Sequence, residues 1–251
     1  MSIYGIIIIE IARCIYIKEL DGENKEQLIY SLSNIFELPS KNLINILSEL
    51  PDNITKVEVY NQVTKFAKNK EYDVIYVFHY TRCSEEIKKN IEKYGLVNAM
   101  DAMDYVFSDI YLHFQKNISN YDYKKLVNKI RNNYSNITRN PIGDNCINGL
   151  LLNVLPYNKP HFLIKGQGPE LVCDVINEMS KEYNFFQKYH DCLKPYIIKV
   201  KIIDQCKEKY LIELTYYLYL LVKNGDDYSG LEYTLTFGDT QNIVYIKEVD
   251  E

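Results

Sequence analysis

The sequence predicts an α+β protein, in which a mixed sheet with helices is preceded by a small α-rich segment. Compact apolar runs typical of strands occur at 74–78, 196–203 and 243–249. Before and between them, apolar residues recur at helical spacing. Residues 1–70 are therefore interpreted as an N-terminal lead-in of strands plus helices, and residues 71–251 as one mixed domain.

Length, composition and charge exclude several classes of protein. The chain has 251 residues, of which 47% are hydrophobic and 25% charged, so it is neither a disordered nor a collagen-like chain. A net charge of −5 makes it a poor general binder of phosphate backbones, although net charge does not describe local distribution. The apolar start, residues 1–17, is interrupted by Glu10 and Arg13 and is too short to span a bilayer. No membrane association is expected.

The six cysteines indicate a reducing compartment. They form no Cys-x-x-Cys pair and follow no secretory signal. Reduced thiols and a cytoplasmic location are therefore expected.

The lead-in is expected to contain two strands followed by three helices. The strands lie at 3–9 and 14–17, and the turn Asp21-Gly22 ends them. Three groups of apolar residues then follow at helical spacing. These are Leu28, Ile29, Leu32, Ile35 and Phe36; Leu43, Ile44, Leu47 and Leu50; and Val59, Val63, Phe66 and Ala67.

Local signals predict where these helices begin and end. Pro39 breaks the first helix, Ser40 can cap the second, and Pro51 ends it. Thr55 and Glu58 form a capping box for the third. A helix-loop-helix DNA-binding unit has similar spacing, but no basic recognition face stands out, so simple helical packing is favoured.

The second region opens with a strand that leads into polar residues. Val74–Phe78 runs directly into His79-Tyr80-Thr81-Arg82, and Ser84 then caps a helix that Gly95 stops. A histidine that ends a strand before a capped helix is expected at a sheet edge, where it could hydrogen-bond a sugar hydroxyl. The alternative is a structural histidine with satisfied hydrogen bonds.

The rest of the chain alternates helices and strands. Residues 105–114 are apolar and aromatic, and fit either a strand or a helix. Residues 116–145 are polar, with Lys and Arg throughout, and are interpreted as a helix and a long surface loop. The remaining predicted elements are strands at 161–165, 196–203, 233–237 and 243–249, a helix that begins at Pro169, and a helix at 211–222 packed under the sheet.

Two further motifs have structural explanations. Gly166-Gln167-Gly168 before a helix could cradle a phosphate, but Leu171 stands where the dinucleotide fingerprint has its third glycine, so a plain turn is favoured. His190-Asp191-Cys192 with Cys206 lacks a zinc spacing, and no metal is expected. Hydrolase and kinase motifs do not occur.

Three blocks of sequence, taken in order, resemble the ADP-ribosyltransferase superfamily. Its members combine a His-x-Thr-like motif on a strand, a helix leading to a Gly-Leu step, and a glutamate-bearing strand before a closing strand. The matching blocks are Phe78-His79-Tyr80-Thr81, Ile91-Glu92-Lys93-Tyr94-Gly95-Leu96, and Leu231-Glu232-Tyr233-Thr234 followed by Asn242-Ile243-Val244-Tyr245-Ile246.

The resemblance implies a role for each residue of an NAD site. His79 would bind ribose hydroxyls of NAD, and Tyr111, or alternatively Tyr105, would stack on nicotinamide. Glu232 would hydrogen-bond the nicotinamide ribose and stabilise the oxocarbenium ion as nicotinamide leaves. The other NAD-binding residues would be Tyr80, Thr81 and Arg82, the last as a pyrophosphate clamp.

The resemblance also implies a function, and a second functional class stays open as the alternative. The protein would be a transferase of the glycosyltransferase type, acting as a toxin or phage-defence effector on a macromolecular acceptor, with a cognate antitoxin or partner protein. The acidic net charge favours a protein acceptor slightly over a nucleic acid. The alternative is a non-catalytic interaction protein, such as an antitoxin, immunity protein or phage-encoded inhibitor, whose binding surface the 24 tyrosines would suit. A nucleotide sensor on the same scaffold lies between the two.

Overall fold

A computed structural model describes most of the chain. The described residues are 17–97, 99–137, 147–153, 172, 176–177, 189, 191–203, 206–224, 234–237 and 242–249. They form helices and a mixed parallel and antiparallel sheet, which confirms the α+β class. In chain order, the described elements are β1 (Glu19–Leu20), α1 (Lys25–Phe36), α2 (Ser40–Glu49), α3 (Lys56–Thr64), β2 (Val74–Cys83), α4 (Glu85–Tyr94), α5 (Ala99–Phe114), α6 (Asn120–Ile137), β3 (Ile147–Leu150), β4 (Lys194–Ile203), α7 (Glu208–Asn224), β5 (Thr234–Phe237) and β6 (Asn242–Glu248).

The chain divides into two compact units, each made of two stretches of sequence. The first unit comprises Met1–Tyr76 and Ile203–Tyr228, and the second comprises Val77–Ile202 and Ser229–Glu251. The domain boundary predicted near residue 70 stays a prediction.

Helix α7 completes the first unit. The sequence predicted that this helix packs under the sheet, and that placement is wrong because its main contacts are with α1, α2 and α3. Tyr219 Oη donates a hydrogen bond to the Pro51 carbonyl at 2.7 Å, and Lys56 Nζ lies 2.8 Å from Glu213 Oε2. An apolar helix face indicates burial but does not say which surface covers it.

The helix boundaries in the first unit follow local hydrogen bonding. The predicted capping box of α3 is confirmed, since Glu58 N donates to Thr55 Oγ1 and Thr55 N donates to Glu58 Oε2. The predicted cap of α2 is wrong: Ser40 is already helical, and no side chain caps this helix. The Pro39 carbonyl instead accepts from Asn42 N at 2.8 Å and Leu43 N at 3.0 Å.

The sheet of the second unit is built around β2, in the strand order β5-β3-β2-β4-β6. Strand β3 is antiparallel to both β2 and β5, and β4 is antiparallel to β6. Phe78 is opposite Leu150, which is opposite Thr234. Within the first unit, β1 runs parallel to the beginning of β2.

Three helices cover one face of this sheet. Ser84 Oγ accepts from Ile87 N and begins α4, and Gly95, at φ 82°, ends it. The ambiguous run 105–114 belongs to helix α5. The core that these helices form with the sheet contains Cys83, Ile87, Ile91, Met103, Val106, Phe107, Ile110, Phe114, Tyr123, Leu126, Ile130, Tyr196, Ile198 and Val200.

Several predictions lie outside the described residues. These are the strands at 3–9 and 161–165, most of the strand at 14–17, the Gly166-Gly168 turn, the surface loop after residue 137, and Glu232. Among the helices of the described ranges, none is long and apolar enough to cross a bilayer.

Candidate functional site

The polar run that follows Phe78 lies inside a strand. His79 was predicted at a strand end, but β2 continues to Cys83, so that placement is wrong. Successive side chains of a strand point to opposite faces of the sheet. Because Cys83 packs in the helix-covered core, His79 and Thr81 share its face, while Tyr80 and Arg82 lie on the opposite face. The strand therefore divides the predicted NAD-binding residues between two faces.

His79 and Thr81 differ in accessibility. His79 is half-buried, whereas Thr81 is only 8% exposed. On this face, His79 is the better placed of the two to contact a nucleotide ribose.

Tyr80 and Arg82 make internal contacts. Tyr80 Oη donates to Asn153 Oδ1 at 3.1 Å. Arg82 is 2% exposed, and its Nη2 donates to the Leu193 carbonyl at 2.8 Å. This bond joins β2 to the residue before β4, because a buried guanidinium needs hydrogen-bond acceptors. The geometry suits a structural role for Arg82 better than a pyrophosphate clamp.

A buried lysine on β4 was not identified from the sequence. Lys199 is 6% exposed, and its Nζ lies 5.6 Å from the ring centroid of Phe78 and 6.0 Å from that of Tyr245. Such distances are typical of cation–π contacts. The ammonium shares the Phe78 face of the sheet, where it could attract an anionic group. The available sequence signal was a lysine flanked by Ile198 and Val200, within the apolar part of β4.

Tyr105 and Tyr111, the two candidates for stacking on nicotinamide, both lie on α5 and are half-buried. Six residues of an α-helix turn through about 600°, so their side chains are separated by about 120° around the axis. They therefore point in different directions, and only one can face a given ligand. The Tyr111 ring packs on Tyr123, with centroids 4.8 Å apart.

A groove between α5 and α6 has an aromatic floor. Its volume is about 600 Å³, within the range of ligand pockets. Buried Phe107 and Tyr123 lie at its base, with Tyr111 beside them. At one end, Arg131 is paired with Asp104, and its guanidinium lies 5.6 Å from the Phe107 ring. The groove is therefore large enough to hold a small ligand, which would contact Tyr111 more than the buried rings of Phe107 and Tyr123.

Asp109 on α5 forms a buried polar cluster that was also missed. It is fully buried and accepts a hydrogen bond from Tyr189 Oη. His113 Nδ1 lies 2.9 Å from the Asp109 carbonyl and 3.8 Å from its Oδ1. Burial, and then the charge of Asp109, raises the pKa of Tyr189, so this phenol stays protonated and donates. The contact fixes Tyr189 to α5, and the signal was an aspartate in the run Phe107–Ile110.

The described residues provide no activated thiol on β2 and no metal-ligand cluster. Burial, and then the charge of Asp109, raises the pKa of Cys83 to about 12, so the thiol is protonated at neutral pH. No group of three His, Cys, Asp or Glu residues within the described ranges could hold a metal ion.

These features define a two-unit α+β protein whose polar strand β2 and α5–α6 groove are its candidate ligand-binding features. No protein family, curated protein or solved structure matches the chain.

Proposed function

We propose that the protein is an NAD-dependent ADP-ribosyltransferase with His79 and Glu232 in its active site. The strand order of the sheet supports this proposal, because only β3 lies between β2, which carries His79, and β5, which follows Glu232 in the sequence. Phe78, next to His79, is opposite Leu150, and Leu150 is opposite Thr234, two residues after Glu232. Two strand spacings amount to roughly 10 Å. The strand that follows Glu232 thus belongs to the same sheet as His79, in the order that the sequence resemblance implies.

In this proposal, each residue acts on NAD as a substrate. His79 binds a ribose hydroxyl, in keeping with the partial exposure of this residue. Either Tyr105 or Tyr111 stacks on nicotinamide. Departure of nicotinamide builds positive charge on the ribose, and the Glu232 carboxylate stabilises that charge in the transition state. Arg82 and Tyr80 bind Leu193 and Asn153 in the structure, and their part in NAD binding stays a prediction.

Nicotinamide release from NAD tests the proposal. We expect Glu232→Gln to lower the rate on the order of 10²–10³-fold, because it removes one electrostatic interaction with the transition state. Assays with and without a cell extract as the source of acceptor measure both transfer and hydrolysis. Glu248→Gln is the matched control, since Glu248 lies exposed on β6 and pairs with Lys194 at 3.1 Å.

Thermal unfolding measures NAD binding separately. NAD at 100 times its dissociation constant should stabilise the fold by roughly 2.7 kcal/mol. That shift should persist in Glu232→Gln and decrease in His79→Ala. Equal rates for wild type and Glu232→Gln would remove Glu232 from the site. A folded wild type that neither binds nor cleaves NAD would contradict the proposal and favour the non-catalytic interaction protein.

A further inference from the structure

The charge of α6 and the residues before it opposes that of the whole chain. Residues 115–132 contain five cations against the one anion Asp122, a net charge of +4 in a chain of −5. The cations are Lys116, Lys124, Lys125, Lys129 and Arg131, and all five are exposed. A local positive potential of this kind attracts polyanions whatever the net charge.

The packing of α6 directs these cations to solvent. Tyr123, Leu126 and Ile130 form its buried side within the core. Arg131 pairs with Asp104. Within the described part of the chain, Lys124 and Lys125 make no ion pair or hydrogen bond. Two adjacent ammonium groups on this helix are therefore available to bind anions.

Aromatic side chains adjoin the two lysines. Tyr121 is 78% exposed and lies one turn before Lys124 and Lys125. Lys124 also lines the α5–α6 groove, whose wall includes Tyr111. An exposed ring beside cationic side chains is a feature by which proteins bind single-stranded nucleic acids, since bases stack on the ring and phosphates contact the cations.

We propose that the basic surface of α6 and the adjoining α5–α6 groove bind single-stranded nucleic acid. Lys124 and Lys125 contact phosphates, and Tyr121 stacks on a base. An anionic membrane is the other partner that basic helices recognise, but such a helix must insert an apolar face. The apolar side of α6 is already buried in the core. This inference goes beyond the proposed function and holds whether or not NAD is cleaved.

Fluorescence anisotropy with labelled single-stranded RNA and DNA of about 12 nucleotides tests the proposal. We expect Lys124→Ala/Lys125→Ala to weaken binding on the order of tenfold. The slope of log K against log salt should decrease by about 0.7 for each phosphate that the two lysines neutralise in the wild type. The control is Lys88→Ala/Lys89→Ala on α4, which removes the same charge from lysines that pair with glutamates. It should bind like wild type.

Tyr121 provides a second test that does not depend on charge. Because its ring is exposed, Tyr121→Ala should preserve folding and weaken binding on the order of tenfold, while Tyr121→Phe should retain binding. The proposal is overturned if wild type binds no oligonucleotide, if the α4 and α6 variants are weakened equally, or if a duplex of the same length binds more tightly. It is also overturned if phosphatidylserine vesicles bind and oligonucleotides do not. Oligonucleotide binding without nicotinamide release would support nucleic-acid binding by this surface and contradict only the proposed transferase activity.

Discussion

At the scale of single residues, Arg82 and Asp109 of the second unit are buried polar groups that each have a specific hydrogen-bond partner. Arg82 donates to the Leu193 carbonyl, and Asp109 accepts from Tyr189. Desolvation of such groups is costly unless hydrogen bonds replace those made with water. These residues therefore help to position β2, α5 and the segment before β4. At Arg82, the sequence alone did not distinguish this structural role from ligand binding.

The Cys83 thiol gives a residue-scale prediction. The pKa of this thiol is raised from an ordinary value of 9.0 to about 12. The stability gained by burying the protonated thiol is therefore complete below about pH 9 and is lost as the pH rises through 12. We expect iodoacetamide at pH 8 to label exposed Cys192 in the folded protein and Cys83 only after unfolding. Mass spectrometry of the digested protein measures both sites. Labelling of Cys83 at the rate of Cys192 in the folded protein would contradict the prediction.

At the scale of elements, caps and periodicity predicted the helices better than the strands. Ser84 and Gly95 correctly bounded α4, because each capping signal acts within a few residues. The end of β2 was wrong because the polar run from His79 was interpreted as a strand end. The run 105–114 fits both periodicities, so only packing could resolve it as a helix.

The N-cap of α4 gives an element-scale prediction. Ser84 is 3% exposed, and its Oγ accepts from Ile87 N at 3.2 Å. Ser84→Ala should lower the free energy of unfolding by about 1 kcal/mol, because it removes the hydrogen-bond acceptor of an unpaired helical N–H group. Urea denaturation measures the change. Ser108→Ala, an exposed position within α5, is the control and should be neutral or slightly stabilising.

At the scale of the whole molecule, each compact unit combines separated parts of the chain. The candidate site could be predicted only where neighbours in sequence carry it, as at His79. Lys199 and the Asp109–Tyr189 pair were missed because their environment comes from residues far along the chain. Helix α7 was misplaced for the same reason, because no local sequence pattern indicates that it packs against α1, α2 and α3.

The division into two units predicts which helices should lose hydrogen-exchange protection together. Leu218 of α7 is fully buried, and Leu218→Ala should destabilise the first unit by about 2–5 kcal/mol. Hydrogen exchange should then accelerate in α1, α2 and α3, although they precede the substitution by more than a hundred residues. Ile130→Ala in α6 is the matched control and should accelerate exchange in α5 and β4 instead. The same exchange pattern for both variants would contradict the prediction.

The order of the strands also constrains how flat the sheet can be. Strands β5 and β6 occupy opposite ends of the order β5-β3-β2-β4-β6, yet only five peptide steps separate Phe237 from Asn242. Five steps reach at most about 18 Å, whereas four flat strand spacings require about 19 Å. The two margins of a flat sheet would lie at the limit of this reach, so the short connection favours a sheet whose strands twist and bring those margins closer. Lys199, Phe78 and Tyr245 share the face of the sheet opposite the helices, so an anion that binds this lysine must approach between the two rings.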